Sequence, residues 1–312
     1  FDVECALEWL DDGRLLASLR LPEPTERLHQ SCTGDFHAVG EHWSWEFTLQ
    51  ETHIDTFPRY PSETFHHLVE PCVLEDQGHY FFRKTGPFRQ SVEYVYYDPE
   101  HKQHRLALIR DQVAEDLLLR RYREILYAYM QTIPDVDKDD ILSGNSPLAD
   151  PMQALKTENL TKMAETNALV TAIGFFSQLA EDSVYAPLYR IGNGIYLFDH
   201  QNDLLLRFHV NPWEDAAGRL SYHRAGGWDK EVLVDAALQR AYGRFSAPGG
   251  YLLLKEIDLQ TGEARKVYRP GITPFLADHF KLRNGILYLI GQPEAAVPNR
   301  KLYKVNLFKF AE

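Results

Sequence analysis

A run of alternating carboxylates is one group of residues in this chain that could do chemistry. Asp135, Asp137 and Asp139 are spaced two apart, and oxygen ligands at the first, third and fifth positions of a loop are what Ca²⁺ prefers. The rest of a calcium loop is missing, because Asp140 stands where the sharp turn needs glycine and Ser146 where a bidentate glutamate belongs. The stretch is a candidate calcium site. The alternative, which we favour, is a solvated acidic linker between two helices.

Four further residues are candidates for ligand binding. Asp199 and His200 follow an apolar strand-like run and could face a central channel. The alternative is turn capping, because an aspartate at a strand end accepts hydrogen bonds from the next backbone N–H groups. Trp213 and Trp228 flank loops, where an exposed indole could stack on a sugar ring or anchor a protein partner. Core packing is the alternative for both tryptophans.

Motifs for catalysis are missing from the sequence. The 13 histidines include no HExxH pattern and no three-histidine spacing, and no G-x-S-x-G elbow or Walker loop occurs. Gly192-Asn193-Gly194 is followed by a strand-like run rather than a helix, which argues against a dinucleotide site. An enzyme is therefore the alternative hypothesis, with acids and histidines brought together only by the fold.

The composition narrows the classes of partner. The chain has 312 residues and a net charge of −12, which disfavours binding to nucleic acid. No run of 18 apolar residues occurs, so we expect no transmembrane segment. The chain opens without Met in a strand-like pattern, as a mature or a trimmed chain would. Cys32 and Cys72 each stand at the head of a strand-like run, where a disulfide is feasible, although cysteine is often a small buried hydrophobe.

Period-two alternation dominates the chain and predicts an all-β fold. Residues 43–49 alternate apolar and polar side chains, as a strand with one buried face does. Residues 3–21 are typical of a hairpin that turns at Asp12–Gly13. The stretch Tyr189–Phe208 predicts strands around Asn193–Gly194, and a similar unit follows 91 residues later around Asn284–Gly285. A third unit fits between them, so the repeat is about 45 residues, the length of a four-stranded propeller blade.

A helical segment interrupts these units. Residues 113–132 contain no Gly or Pro and space their apolar side chains for one face of a helix, and residues 152–179 predict a second helix. We therefore predict a mainly helical insertion at about 111–182 in a single β-propeller domain spanning 1–312. The N- and C-terminal strands would close its ring.

Five units and the N-terminal hairpin leave two propeller forms open. The hairpin completes the last unit in a five-bladed form, or is a reduced blade in a six-bladed form, which we favour. The strand–turn spacing, with phrases such as IYLFDHQN (195–202) and SYHRAGGWDKEVLVD (221–235), resembles six-bladed propellers of the YWTD/NHL type, in particular uncharacterised exported bacterial ones. That resemblance implies a location outside the cytoplasm, periplasmic or extracellular, and carries over no catalytic residue.

The sequence thus predicts a non-enzymatic binding or scaffold propeller. It would present a funnel face and the helical insertion to a protein or carbohydrate partner, without a cofactor unless the acidic stretch binds Ca²⁺. The alternative is a propeller hydrolase or lyase with acidic and histidine residues at the central channel. Because propellers host both kinds of function, the fold cannot choose between them.

Overall fold

The fold is an all-β propeller with five blades. Each blade is a sheet of strands that follow one another along the chain. The computed structural model describes residues 4–9, 15–20, 25–33, 35–49, 54–56, 59–86, 89–131, 135–146, 183–208, 215–270, 279–291 and 301–310. The chain divides into two compact units, residues 1–85 with 93–108, and residues 86–92 with 109–312.

The first unit contains an N-terminal hairpin and two blades. The hairpin strands are β1 (Glu4–Trp9) and β2 (Leu15–Arg20). The first blade consists of β3 (Thr25–Gln30), β4 (Phe36–Gly40), β5 (Trp43–Leu49) and β6 (Ile54–Thr56), with β7 (Tyr60–Pro61) paired to β5. A short helix α1 (Ser62–Thr64) and a π-helical turn (Phe65–Val69) follow. The second blade consists of β8 (Cys72–Asp76), β9 (His79–Thr85), β10 (Ser91–Tyr97) and β11 (Gln103–Arg110).

The second unit contains the helices and three blades. The helices are α2 (Gln112–Met130) and α3 (Asp135–Leu142). The third blade consists of β12 (Leu188–Ile191), β13 (Gly194–Asp199), β14 (Leu204–Phe208) and β15 (Asp215–Arg219). The fourth consists of β16 (Trp228–Asp235), β17 (Arg240–Ala247), β18 (Tyr251–Ile257) and β19 (Ala264–Tyr268). The described strands of the fifth are β20 (His279–Arg283), β21 (Ile286–Gly291) and β22 (Lys301–Asn306).

Apolar side chains between neighbouring sheets form the core of the second unit. Phe198 of β13, Leu205 of β14 and Phe245 of β17 belong to one cluster between the third and fourth blades. Tyr242 of β17 and Leu287 of β21 belong to another between the fourth and fifth blades. Every residue of β13 is buried, as expected for a strand with neighbours on both edges and sheets against both faces.

The preference for six blades was wrong. The N-terminal hairpin is a two-stranded sheet of its own in the described part of the chain, neither a blade nor a part of the fifth sheet. Its register pairs Trp9 with Leu15. The turn predicted at Asp12–Gly13 lies among residues 10–14, outside the described residues, and stays a prediction. Ring closure by the terminal strands remains a prediction.

Other differences between the prediction and the structure arise where polar residues give no clear pattern. Strand β3 was not predicted, because only Leu28 among its residues is strongly apolar. Residues 59–67 were predicted as a loop but include β7, α1 and the start of the π-helical turn. The fourth strand of the third blade is Asp215–Arg219 rather than 219–223, because Tyr222–Arg224 forms a 3-10 turn.

The predicted helix at 113–132 corresponds to α2. The acidic stretch, predicted as a loop, instead begins a helix at Asp135. The helix predicted at 152–179 lies outside the described residues. In the parts of the chain that the structure describes, no helix is both long and apolar enough to cross a membrane.

A disulfide connects the first two blades. Cys32, in the turn after β3, is bonded to Cys72, the first residue of β8, with Cα atoms 5.7 Å apart. The disulfide that was feasible from the sequence is therefore formed. Both cysteines belong to the first unit, so the bond closes a loop within that unit.

Candidate functional site

A cluster of aromatic and histidine side chains gathers between the third and fourth blades. We call it the His200 cluster, and its members are Tyr185, His200, Asp203, Tyr222, His223 and Trp228. His200 and Asp203 come from the turn between β13 and β14, and Tyr222 and His223 from the 3-10 turn. Trp228 begins β16.

Glycine places Trp228 in the cluster. Gly227 has a φ of +81°, and a Cβ there would lie 2.3 Å from the carbonyl oxygen of Ser246. That carbonyl belongs to β17, and Ser246 N–H also donates to the Gly227 carbonyl at 2.6 Å. Only glycine permits this backbone conformation and approach, so Gly227 fixes where β16 starts.

His200 is hydrogen-bonded through both ring nitrogens. Nδ1 lies 3.0 Å from the carbonyl oxygen of Tyr185, and Nε2 lies 2.7 Å from the hydroxyl of Tyr222. The ring packs against the indole of Trp228, with centroids 4.6 Å apart. Burial lowers the pKa of His200 to about 4 and raises that of Tyr222 well above its ordinary value. His200 is therefore neutral at physiological pH.

Asp203 holds the other histidine of the cluster. Its Oδ1 lies 3.1 Å from His223 Nε2, and both of its oxygens accept hydrogen bonds from the Arg224 guanidinium. Burial lowers the pKa of His223, although Asp203 opposes that shift. A histidine paired with a carboxylate is the arrangement of a general base.

Among the residues that the structure describes, two buried polar atoms of the cluster are left without a hydrogen-bond partner of normal geometry. They are His223 Nδ1 and Trp228 Nε1. Asp203 and the His200 backbone both favour a proton on His223, whereas the indole nitrogen is a donor. The Nδ1 of His223 is buried in the cluster.

The four residues predicted to bind a ligand lie in different surroundings. Asp199 accepts backbone hydrogen bonds from Gln201 (3.1 Å) and Asn202 (3.0 Å), so it caps its turn. His200 and Trp228 come together in the cluster, half-buried or buried. Trp213 lies outside the described residues. Ligand binding by these four residues remains a prediction.

Residues 135, 137 and 139 lie on helix α3 rather than in a loop. Calcium binding by them stays a prediction. No group of three or more His, Cys, Asp or Glu that could hold a metal ion is found among the residues the structure describes.

Four members of the His200 cluster were not predicted from the sequence: Tyr185, Asp203, Tyr222 and His223. The alternation in 219–223 favoured a strand, which would have sent Tyr222 and His223 to opposite faces. The one usable signal was Gly226–Gly227, a turn that separates this segment from the next strand.

A groove in the first unit is the second candidate site. It has a volume of about 740 Å³ and lies among the π-helical turn, β9, β10 and the turn after β10. We call it the β9 groove; its lining residues are His66, His67, Leu68, Pro71, Tyr80, Phe82, Arg83, Lys84, Thr85, Val95, Tyr97 and His101. None of them is acidic. Leu68 is 62% exposed and Tyr80 38%.

Comparisons with known proteins identify no family. No family model matches the chain, and no curated protein matches it significantly. The structure itself shows the propeller fold, while the resemblance to the YWTD/NHL type has no support from relatives. Five blades also depart from the six of that type.

Proposed function

We propose that this protein is a non-enzymatic binding or scaffold propeller that works outside the cytoplasm. The β9 groove would bind its protein or carbohydrate partner. The observation that carries this proposal is the groove itself, an open hollow with apolar side chains and exposed cations. Its volume falls in the range usual for ligand sites, roughly 300–1,000 Å³. The helical insertion predicted at about 111–182 is a further candidate surface.

The disulfide supports a location outside the cytoplasm. Disulfides persist in oxidising compartments and are rare in the cytosol, so the Cys32–Cys72 bond favours export.

The His200 cluster supports a structural role better than a catalytic one. His200 uses both ring nitrogens within the fold, and Nδ1 of His223 is buried. The cluster joins the third blade to the start of β16, as do Tyr185 and Tyr189, whose hydroxyls bond the backbone of Val232 at 2.8 and 3.0 Å.

Leu68→Glu tests the groove. The side chain is mostly exposed, so the substitution places a charge on the groove without opening the core. Immobilised protein is screened on peptide and oligosaccharide arrays, and each ligand is retested with the variant. We expect affinity for a groove ligand to fall about tenfold or more, because a buried anchor contact becomes an unpaired charge.

Leu108→Glu is the matched control, since Leu108 is 53% exposed on β11 and does not line the groove. Equal binding by both variants, or no ligand on either array, contradicts the proposal.

A propeller hydrolase or lyase is the second candidate, and the Asp203–His223 pair is the observation that favours it. Hydrolase or lyase activity that disappears in His223→Gln, while the fold is retained, would select this alternative.

A further inference from the structure

We infer that the β9 groove binds an acidic peptide segment carrying an apolar side chain. This inference rests on the proposed function, because it names the ligand of the same groove. Three features of the described residues carry it: the apolar floor, the cations beside it, and the arrangement of its rings.

The floor comes from one face of the second blade. In β9, Tyr80 and Phe82 alternate with Phe81, which is buried on the opposite face against Tyr96. Val95, next to Tyr96 in β10, lines the groove with them. Successive side chains of a strand point to opposite faces, so these residues form a continuous apolar surface. Leu68 and Pro71 extend that surface from the neighbouring turn.

Arg83 and Lys84 supply the charge. Both are exposed at the end of β9, and neither forms an ion pair with any residue that the structure describes. The Arg83 N–H donates to the Pro71 carbonyl at 2.8 Å, which fixes the strand end beside the turn.

These two cations stand out because the chain is acidic, with 45 acidic residues against 33 basic ones. Acids near the groove are paired with other side chains: Glu70 with His66 at 2.7 Å, Glu63 with His67 at 3.8 Å and Glu93 with Arg105 at 2.8 Å.

Lys84 shares the strand face of Tyr80 and Phe82, and Arg83 also lines the groove at the strand end. Without an ion pair among the described residues, the Arg83 guanidinium matches a carboxylate, which it can bind through two parallel hydrogen bonds.

The rings of the groove favour a peptide over a sugar. Phe82 and Tyr97 meet edge to face, with centroids 5.4 Å apart and planes at 87°. A sugar ring stacks on a flat, open aromatic face, whereas Phe82 and Tyr97 pack against each other. The aliphatic residues Leu68, Pro71 and Val95 instead suit a leucine or phenylalanine side chain.

Fluorescence anisotropy with matched labelled peptides tests the inference. The first probe is a short peptide with one leucine flanked by glutamates. The second replaces each glutamate by glutamine, the third replaces the leucine by serine, and an oligouronate is the acidic sugar. We expect the first probe to bind about tenfold or more tighter than the others, because only it meets both the charge and the apolar floor. Its affinity should fall at high salt.

The double variant Arg83→Glu/Lys84→Glu should weaken binding of the first probe by tenfold or more, since attraction becomes repulsion. The control Lys266→Glu/Lys281→Glu makes the same change in net charge at two exposed positions in the second unit. It should bind like the parent protein.

The outcomes separate the two proposals. If the glutamine peptide or the oligouronate binds best, and Leu68→Glu abolishes that binding, the groove is a binding site but the acidic peptide is wrong. If both double variants lose affinity equally, the attraction is a general charge effect and the inference is overturned. If no probe and no array ligand depends on Leu68, both proposals fail.

Discussion

His200 can adopt only one neutral form in its surroundings. The Tyr185 carbonyl can only accept, so Nδ1 carries the proton and donates to it. Nε2 is then an acceptor, and the Tyr222 hydroxyl donates to it. Protonation would add a charge among Tyr222, Trp228 and Phe198, far from solvent. The same residue that suggested chemistry in the sequence is therefore held in an uncharged state by its neighbours.

This burial predicts a loss of stability in acid. The pKa of His200 is about 4 in the folded protein and ordinarily 6.5, so the unfolded chain takes up the proton first as the pH falls. The stabilising contribution is complete above pH 6.5 and is lost between there and about pH 4. The free energy of unfolding should fall by up to about 3 kcal/mol over this window. Urea unfolding at a series of pH values measures it.

His200→Gln is the control, since it keeps a donor and an acceptor but does not titrate. Its unfolding free energy should depend less on pH below 6.5. Some slope will remain, because burial also lowers the pKa of His37 and His223. An unchanged slope in the variant contradicts the assignment to His200.

At the scale of elements, one carboxylate connects two blades. Asp235 ends β16 and is fully buried. It accepts hydrogen bonds from the backbone N–H groups of Asn284 (3.1 Å) and Gly285 (2.6 Å) in the turn between β20 and β21, and from Leu238 (3.2 Å) in its own turn. Three donors thus meet one buried anion, which fixes the fourth blade against the fifth.

Asp235→Ala should lower the free energy of unfolding by about 3 kcal/mol, because buried donors lose a charged acceptor. Equilibrium urea unfolding measures the change. Asp258→Ala is the comparison, since Asp258 accepts from Gln260 and Thr261 of its own turn and from Arg265. That local cap should cost about 1 kcal/mol. Equal effects would show that the link between blades adds nothing.

The elements themselves were largely predictable. Strands such as β9, β10 and β17 lie between turn residues in the sequence and agree with the prediction within two residues. Pattern failed for β3, whose polar residues offer no apolar face, and for the 3-10 turn at Tyr222–Arg224. The site was less predictable, because His200 and Tyr222 are 22 positions apart and meet only when the third blade forms. The β9 groove combines three separate segments, which no local pattern reveals.

At the scale of the whole molecule, the disulfide allows a test of the proposed location outside the cytoplasm. The bond closes a loop between residues 40 positions apart, and the chain-entropy model assigns such a loop about 4 kcal/mol of stabilisation. Cys32→Ser/Cys72→Ser should therefore lower the unfolding free energy by about that amount. Cys5→Ser should change it little, since Cys5 belongs to the two-stranded hairpin sheet.

Mass spectrometry after alkylation tests export directly. Protein recovered from the periplasm or medium, denatured without a reductant, should carry no alkyl group on Cys32 or Cys72. Alkylation of all three cysteines in protein from its native compartment contradicts a location outside the cytoplasm.

The hairpin turns of the repeat carry a consequence for building new proteins from this one. In the third blade Ile191 pairs with Gly194, so the turn residues are Gly192 and Asn193. In the fifth blade Arg283 pairs with Ile286, so they are Asn284 and Gly285. The two Asn-Gly pairs are therefore not equivalent, and the correct junction differs by one residue. A chimera spliced at the shared dipeptide would turn every side chain of the grafted strand to the wrong face, whereas one that joins Gly192 to the place of Asn284 keeps the register.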